Sequence, residues 1–129
     1  METDIYEGNP VLKHSSEFSL MILDYCEVLQ QEKKFILGNQ ILKCGTSIGA
    51  NITEAQNSES KADFIHKMKI AAKEAGETQY WLRLCAFSKN YPECTHLIPK
   101  LEQIQKLLGK ILSTAKRKHP FSYLLTLFW

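Results

Sequence analysis

The sequence predicts an all-α chain folded as an up-and-down four-helix bundle. Two observations carry that reading. Apolar residues recur at three- and four-residue spacing through four successive segments, the mark of amphipathic helices. The breaks between those segments are short, which makes chain neighbours antiparallel and a bundle the natural way to bury four apolar stripes.

The first helix is expected over about 16–34, where Phe18, Met21, Ile22, Tyr25, Cys26 and Leu29 share one face. Glu17 would then fall in its first turn and Lys33 and Lys34 in its last, complementing the helix dipole. The second is expected over about 35–57, with Gly38 and Asn39 blurring its start. Ile41, Gly45, Ile48, Ile52 and Ala55 step by four, three, four and three residues. Gly45 and Gly49 would each cost up to about 1 kcal/mol relative to alanine inside a helix. Close approach of another helix is the simplest return for that cost. Asn51 and Glu54 lie beside this stripe and are expected to hydrogen-bond across helices, sharing a polar network with Glu77.

Asn57-Ser58-Glu59-Ser60 is a polar break, and Ser60 with Asp63 resembles a capping box. The third helix is expected over about 60–89. Phe64, Met68, Ala71, Ala75, Leu82 and Cys85 form its stripe, widened by Ile65, Ala72, Trp81 and Ala86. Asn90-Tyr91-Pro92 ends it, because the residue before proline is pushed out of the α region. Pro99 suits an early turn of the fourth helix, expected over about 97–118 through Leu101, Ile104, Leu108, Ile111, Leu112 and Ala115. The segment FSYLLTLFW (121–129) follows a basic stretch. It fits folding back over the bundle, docking on a neighbouring subunit, or resting on a membrane surface.

A chain of 129 residues suits one domain, 1–129, with a core of its own. The start has neither the basic nor the apolar region of a secretion signal. No apolar run approaches the roughly 20 residues of a spanning helix, so no membrane span is expected and the expected compartment is the cytoplasm. Cys26, Cys44, Cys85 and Cys94 form no C-x-x-C pair. The first three sit in apolar helical patterns and read as buried thiols. The net charge of +2 conceals segregation: residues 1–32 hold seven acids against Lys13, while 33–89 and 90–129 each carry an excess of four basic groups. Such a distribution can steer charged partners, or simply reflect solvated helix faces.

The residues point to little chemistry. The only Glu-x-x-His, Glu93 to His96, lies in a connection between two prolines, without the second copy a di-iron bundle requires. Glu74 and Glu77 are helical neighbours by spacing alone. A carboxylate metal site on Glu54, Glu74 and Glu77 is a minor alternative. The four histidines are scattered, and no phosphate-loop, dinucleotide, zincin or EF-hand pattern is present. No enzyme activity and no cofactor are expected. Basic residues do recur along the third helix (Lys61, Lys67, Lys69, Lys73, Arg83) and the fourth (Lys100, Lys106, Lys110, Lys116, Arg117, Lys118). Lysines one turn apart, as at Lys69 and Lys73 or Lys106 and Lys110, can follow a phosphate backbone.

Two stretches carry a family resemblance. Gln40-Ile41-Leu42-Lys43-Cys44-Gly45-Thr46-Ser47-Ile48-Gly49-Ala50-Asn51-Ile52-Thr53-Glu54-Ala55 is one. Asp63-Phe64-Ile65, then Ile70-Ala71-Ala72-Lys73-Glu74-Ala75-Gly76-Glu77-Thr78 and Tyr80-Trp81-Leu82, is the other. Over about 16–115 the chain resembles bacterial four-helix bundle proteins encoded in intervening sequences of large-subunit ribosomal RNA genes. The related accessory proteins of diversity-generating retroelements look similar. The resemblance implies a left-handed bundle, assembly as a homo-pentamer, and contacts to nucleic acid and a protein partner through a basic surface. On this chain those contacts would be Lys43, Lys67, Lys69, Lys73 and Arg83. The expectation is a non-enzymatic oligomeric binding module, taking structured RNA or DNA on its lysine faces. The alternative is a structural or protein-binding ring with no nucleic-acid ligand.

Overall fold

The computed structural model describes residues 8–116. Four helices follow in chain order: α1 (Pro10–Gln31), α2 (Phe35–Ala55), α3 (Lys61–Phe87) and α4 (Leu97–Ala115). Each packs on the next, and α4 closes against α1. This is the up-and-down four-helix bundle that the periodicity predicts, with no strand among the described residues. Phe18, Ile22, Ile48, Phe64, Leu82 and Ile104 are among the side chains fully enclosed at its centre, each worth roughly 1.5–3 kcal/mol of burial.

The start of α1 differs from the sequence reading. The helix begins at Pro10, six residues before Ser16, because Asn9 caps it: the Leu12 N–H donates to Asn9 Oδ1 at 3.3 Å. Pro10 occupies the first helical position, where a missing N–H costs nothing. Val11 and Ser15 extend the buried stripe. Ser15 hides that extension in the sequence, yet its hydroxyl is satisfied by donating to the Leu12 carbonyl at 3.1 Å. The earlier start and the end at Gln31 together remove the expected dipole complement: the first turn carries no acid and the last no base.

α1 ends in a tight reversal. The Lys34 N–H donates to the Leu29 carbonyl at 2.8 Å and the Lys33 N–H to the Gln30 carbonyl at 3.0 Å, the bond pair of a Schellman motif. Lys33 holds the left-handed position, with φ 61°, where glycine is usual. The short turn sets α2 against α1, and the α2 glycines let the backbones close. A Cβ at Gly45 would lie 2.9 Å from Ile22 Cγ1, and one at Gly49 3.2 Å from Ser19 Oγ. Ile48 and Ile52 point into the core beside them. The close approach expected of these glycines is made by α1.

Ser60 caps α3 by accepting from the Asp63 N–H at 3.1 Å, as its spacing predicts. α3 ends at Phe87, several residues before Pro92, and Pro99 is the third residue of α4. The Tyr25 hydroxyl donates to the Pro92 carbonyl at 2.8 Å and ties α1 to the α3–α4 connection. Burial drives that hydroxyl's pKa far above its ordinary value, with Cys85 and Cys94 close by. Cys44, Cys85 and Cys94 are buried thiols, whereas Cys26 is only partly covered. Cys26 lines a cleft of about 290 Å³ between α1 and α2, and burial still raises its thiol to about 11. No described helix is long and apolar enough to cross a membrane. The segment 121–129 and its three placements lie outside the described residues.

Candidate nucleic-acid interface

The basic residues singled out from the sequence fall into three groups. Lys43 is exposed on α2, and Lys69 and Lys73 are exposed one turn apart on α3. Glu74 lies partly buried between the two helices. Burial raises its carboxyl pKa first and Glu77 adds to the rise, while Lys73 and Lys43 both oppose it. The two lysines are therefore close enough to share one carboxylate's field, across the α2–α3 groove.

Lys67 is differently employed. Its Nζ lies 3.0 Å from Glu54 Oε2, and that hydrogen bond holds the ammonium pKa up. The pair bridges α3 to α2 at the groove, so Lys67 is committed within the fold. Arg83 is exposed further along α3. At about 100° per residue it stands roughly 160° round the helix from Lys67, on the side shared by Lys69.

Lys106 and Lys110 are exposed on α4. That helix packs on α1 and α3 and is diagonal to α2, so they do not join Lys43 on one face. The seven candidate cations thus divide into an α2–α3 group, an ion-paired Lys67 and a separate α4 pair.

The polar network expected of Asn51, Glu54 and Glu77 does not form. The Asn51 amide donates to the Ser47 carbonyl of its own helix at 2.8 Å. Glu54 crosses to Lys67, and Glu77 is exposed beside Glu74. The side-chain amide shares the Ser47 carbonyl with the helix's own backbone bond, so no cross-helix bond is needed. Among the described residues no three His, Cys, Asp or Glu side chains are placed to hold a metal ion.

A different polar cluster, unforeseen in the sequence, joins α1 to α4. Lys100 Nζ is 2.6 Å from Glu17 Oε2 and 2.8 Å from His14 Nδ1, and Gln103 Nε2 is 3.4 Å from His14 Nε2. Burial, then Lys100, holds the His14 pKa down, and the bond from Lys100 holds Glu17 down. The four residues come from segments more than 80 apart in the chain, so no local spacing reveals them.

The sequence reading also missed a set of exposed apolar residues. Tyr80 (58%), Leu84 (42%) and Phe87 (87%) stand out from α3, on the side opposite Leu82 and Cys85, and Ile36 (85%) stands out from α2. Ala86, expected within the stripe, is exposed as well. The signal was available: Tyr80, Leu84 and Phe87 follow one another at four and three residues, a second apolar row out of phase with the core row.

The profile of the family described as 23S rRNA-intervening sequence protein matches residues 7–110. Among solved structures, the chain is similar to a protein of unknown function from the S23 ribosomal protein family of Bacteroides thetaiotaomicron. The two are 42% identical, superpose with a TM-score of 0.75, and share 79% of this chain and 97% of that one. No curated protein matches the chain. The profile covers all but the last turns of the described bundle, including both the α1–α2 glycine seam and the lysines of the α2–α3 groove. This chain therefore belongs to the 23S rRNA-intervening sequence protein family.

Proposed function

We propose that this protein is a non-enzymatic binding module that takes structured RNA or DNA on the outer α2–α3 surface. The observation that supports it is the placement of Lys43 and Lys73 about one groove, with Lys69 and Arg83 exposed on the outer side of α3. Exposed ammonium groups at that spacing neutralise successive phosphates and release counterions. The family's description, which refers to 23S rRNA, agrees with such a ligand. Assembly as a homo-pentamer in the cytoplasm would repeat the face around an axis and multiply a charge that is modest in one subunit. Lys67 contributes less than its neighbours, since Glu54 already neutralises it.

A salt-dependent mobility-shift titration with a hairpin RNA tests the reading. Binding should weaken steeply with salt, and Lys69→Gln with Lys73→Gln should lower the slope of log K against log salt by about 2. Affinity no better than that of an unrelated protein of equal charge, or indifferent to salt, would refute it.

The second reading is a structural or protein-binding ring, favoured by the exposure of Ile36 and Phe87. Leu125→Ser with Phe128→Ser, read by mass in solution, probes whether 121–129 takes part. An unchanged assembly of unchanged stability counts against that role.

A further inference from the structure

We infer that the outer face of α3 is a platform for unpaired bases, on which Tyr80 and Phe87 are the stacking rings. This rests on the nucleic-acid reading above and specifies which part of such a ligand the face takes. Residues seven apart on a helix return to nearly the same line, with a drift of only about 20°. Lys73, Tyr80 and Phe87 therefore form one row along α3, at intervals of about 10 Å. Lys69, Gly76 and Arg83 form the row beside it. A Cβ at Gly76 would meet nothing within 4 Å, so the centre of the strip is an open shelf between cations and rings.

Two large aromatic side chains at 58% and 87% exposure are costly to leave in water, and the strip around them says what covers them. Lys69, Lys73 and Arg83 are exposed on the same side, with Glu77 as its one acid. Lysines such as Lys69 and Lys73 are depleted from the centres of protein–protein contacts, whereas rings flanked by Lys and Arg are how single strands are gripped. Tyr80 is held by an edge-on contact with Trp81, ring centres 5.0 Å apart at 63°, which lowers the ordering cost of binding. A stacked duplex offers the rings nothing to stack on, because each of its base faces is already covered by the next base. Bases splayed from a loop or bulge reach both rings, and exposed base faces are what aromatic side chains recognise in folded RNA. Leu84 adds apolar surface beside the rings, and the three cations meet the phosphates of the same strand.

The test compares a hairpin RNA carrying an unpaired loop with its stem closed as a blunt duplex, both fluorescently labelled and titrated with full-length protein. The hairpin should bind more tightly than the duplex. Tyr80→Ala and Phe87→Ala should each weaken hairpin binding about tenfold, leave duplex binding and the salt slope unchanged, and Tyr80→Phe should restore it. Lys69→Gln with Lys73→Gln should weaken both probes alike. If neither probe binds, the nucleic-acid reading itself fails and this inference with it. If both bind equally and the alanine variants are silent, the nucleic-acid reading stands and the platform is overturned. A loss that Leu84→Ala reproduces in full, or a change of mass in solution without a change in hairpin affinity, makes the strip a protein contact and overturns it too. All three side chains are exposed, so the variants retain the core, and circular dichroism confirms that each is folded.

Discussion

Ile22 of α1 lies so close to Gly45 of α2 that a Cβ at position 45 would sit 2.9 Å from Ile22 Cγ1. The contact is with the inner methylene of a fully buried side chain rather than its flexible end. Gly45→Ala should therefore destabilise the protein by about 1–3 kcal/mol through overpacking, despite gaining helix propensity. Gly76→Ala and Gly109→Ala meet nothing within 4 Å and should gain up to about 1 kcal/mol. Urea midpoints with an unchanged m-value would read all three. A stable Gly45→Ala would remove the steric account of this seam.

The His14–Glu17–Lys100 cluster predicts a two-stage loss of stability in acid. Both the imidazole and the carboxyl have pKa values depressed by the fold, so the unfolded chain takes up protons first and stability falls as pH falls. The imidazole's share is complete above its ordinary 6.5 and is lost as pH drops through its lower folded value. The carboxyl's share is complete above 4.5 and is lost below it in the same way. Stability measured from pH 8 to pH 3 should show both steps, and His14→Gln should remove the upper one. A stability that rises on acidification through pH 6 in the native protein, with His14→Gln flat, would contradict the assignment.

Coupling between Glu17 and Lys100 should be modest. Their side chains remain 30% and 17% exposed, and a double-mutant cycle with Glu17→Gln and Lys100→Met should give about 0.5–1 kcal/mol, falling with added salt. Zero coupling at low salt would show that the short contact contributes nothing.

Tyr25→Phe removes the only hydroxyl that reaches the Pro92 carbonyl from α1. The expected loss is about 1 kcal/mol, since a partly buried acceptor is left without its partner. Amide exchange should accelerate around 92–95 while the centres of the helices stay protected. Uniform acceleration throughout the bundle would mean that the bond holds the core rather than the connection.

Lys33 occupies a left-handed backbone position at φ 61°, unfavourable for a residue with a Cβ. Lys33→Gly should leave stability unchanged or raise it by up to about 1 kcal/mol, with the gain offset by glycine's greater freedom when unfolded. A loss above that size would show that the lysine side chain, not the backbone turn, matters at this reversal.

How far the sequence determined this protein can be read from particular residues. Ile41, Gly45, Ile48, Ile52 and Ala55 step along α2 with the helix period, so their burial was legible before any packing was known. Ser60 with Asp63 marked the start of α3 and Pro99 the first turn of α4 by local backbone chemistry alone, whereas α3 stops at Phe87, short of Pro92. Asn9 and Pro10 carried the same kind of signal for α1, but the buried Ser15 broke the apolar pattern and hid it. Only tertiary structure decided that Gly45 faces Ile22, that Lys67 is spoken for by Glu54, or that Lys100 meets His14 and Glu17. It also decided that Glu54 meets Lys67 rather than joining Asn51 and Glu77 in one network. Periodicity reports which residues share a side of one helix, because that is set by the backbone's own repeat. Which helix lies opposite, and at what rotation, depends on contacts between residues far apart in the chain, and these exist only once the bundle has closed.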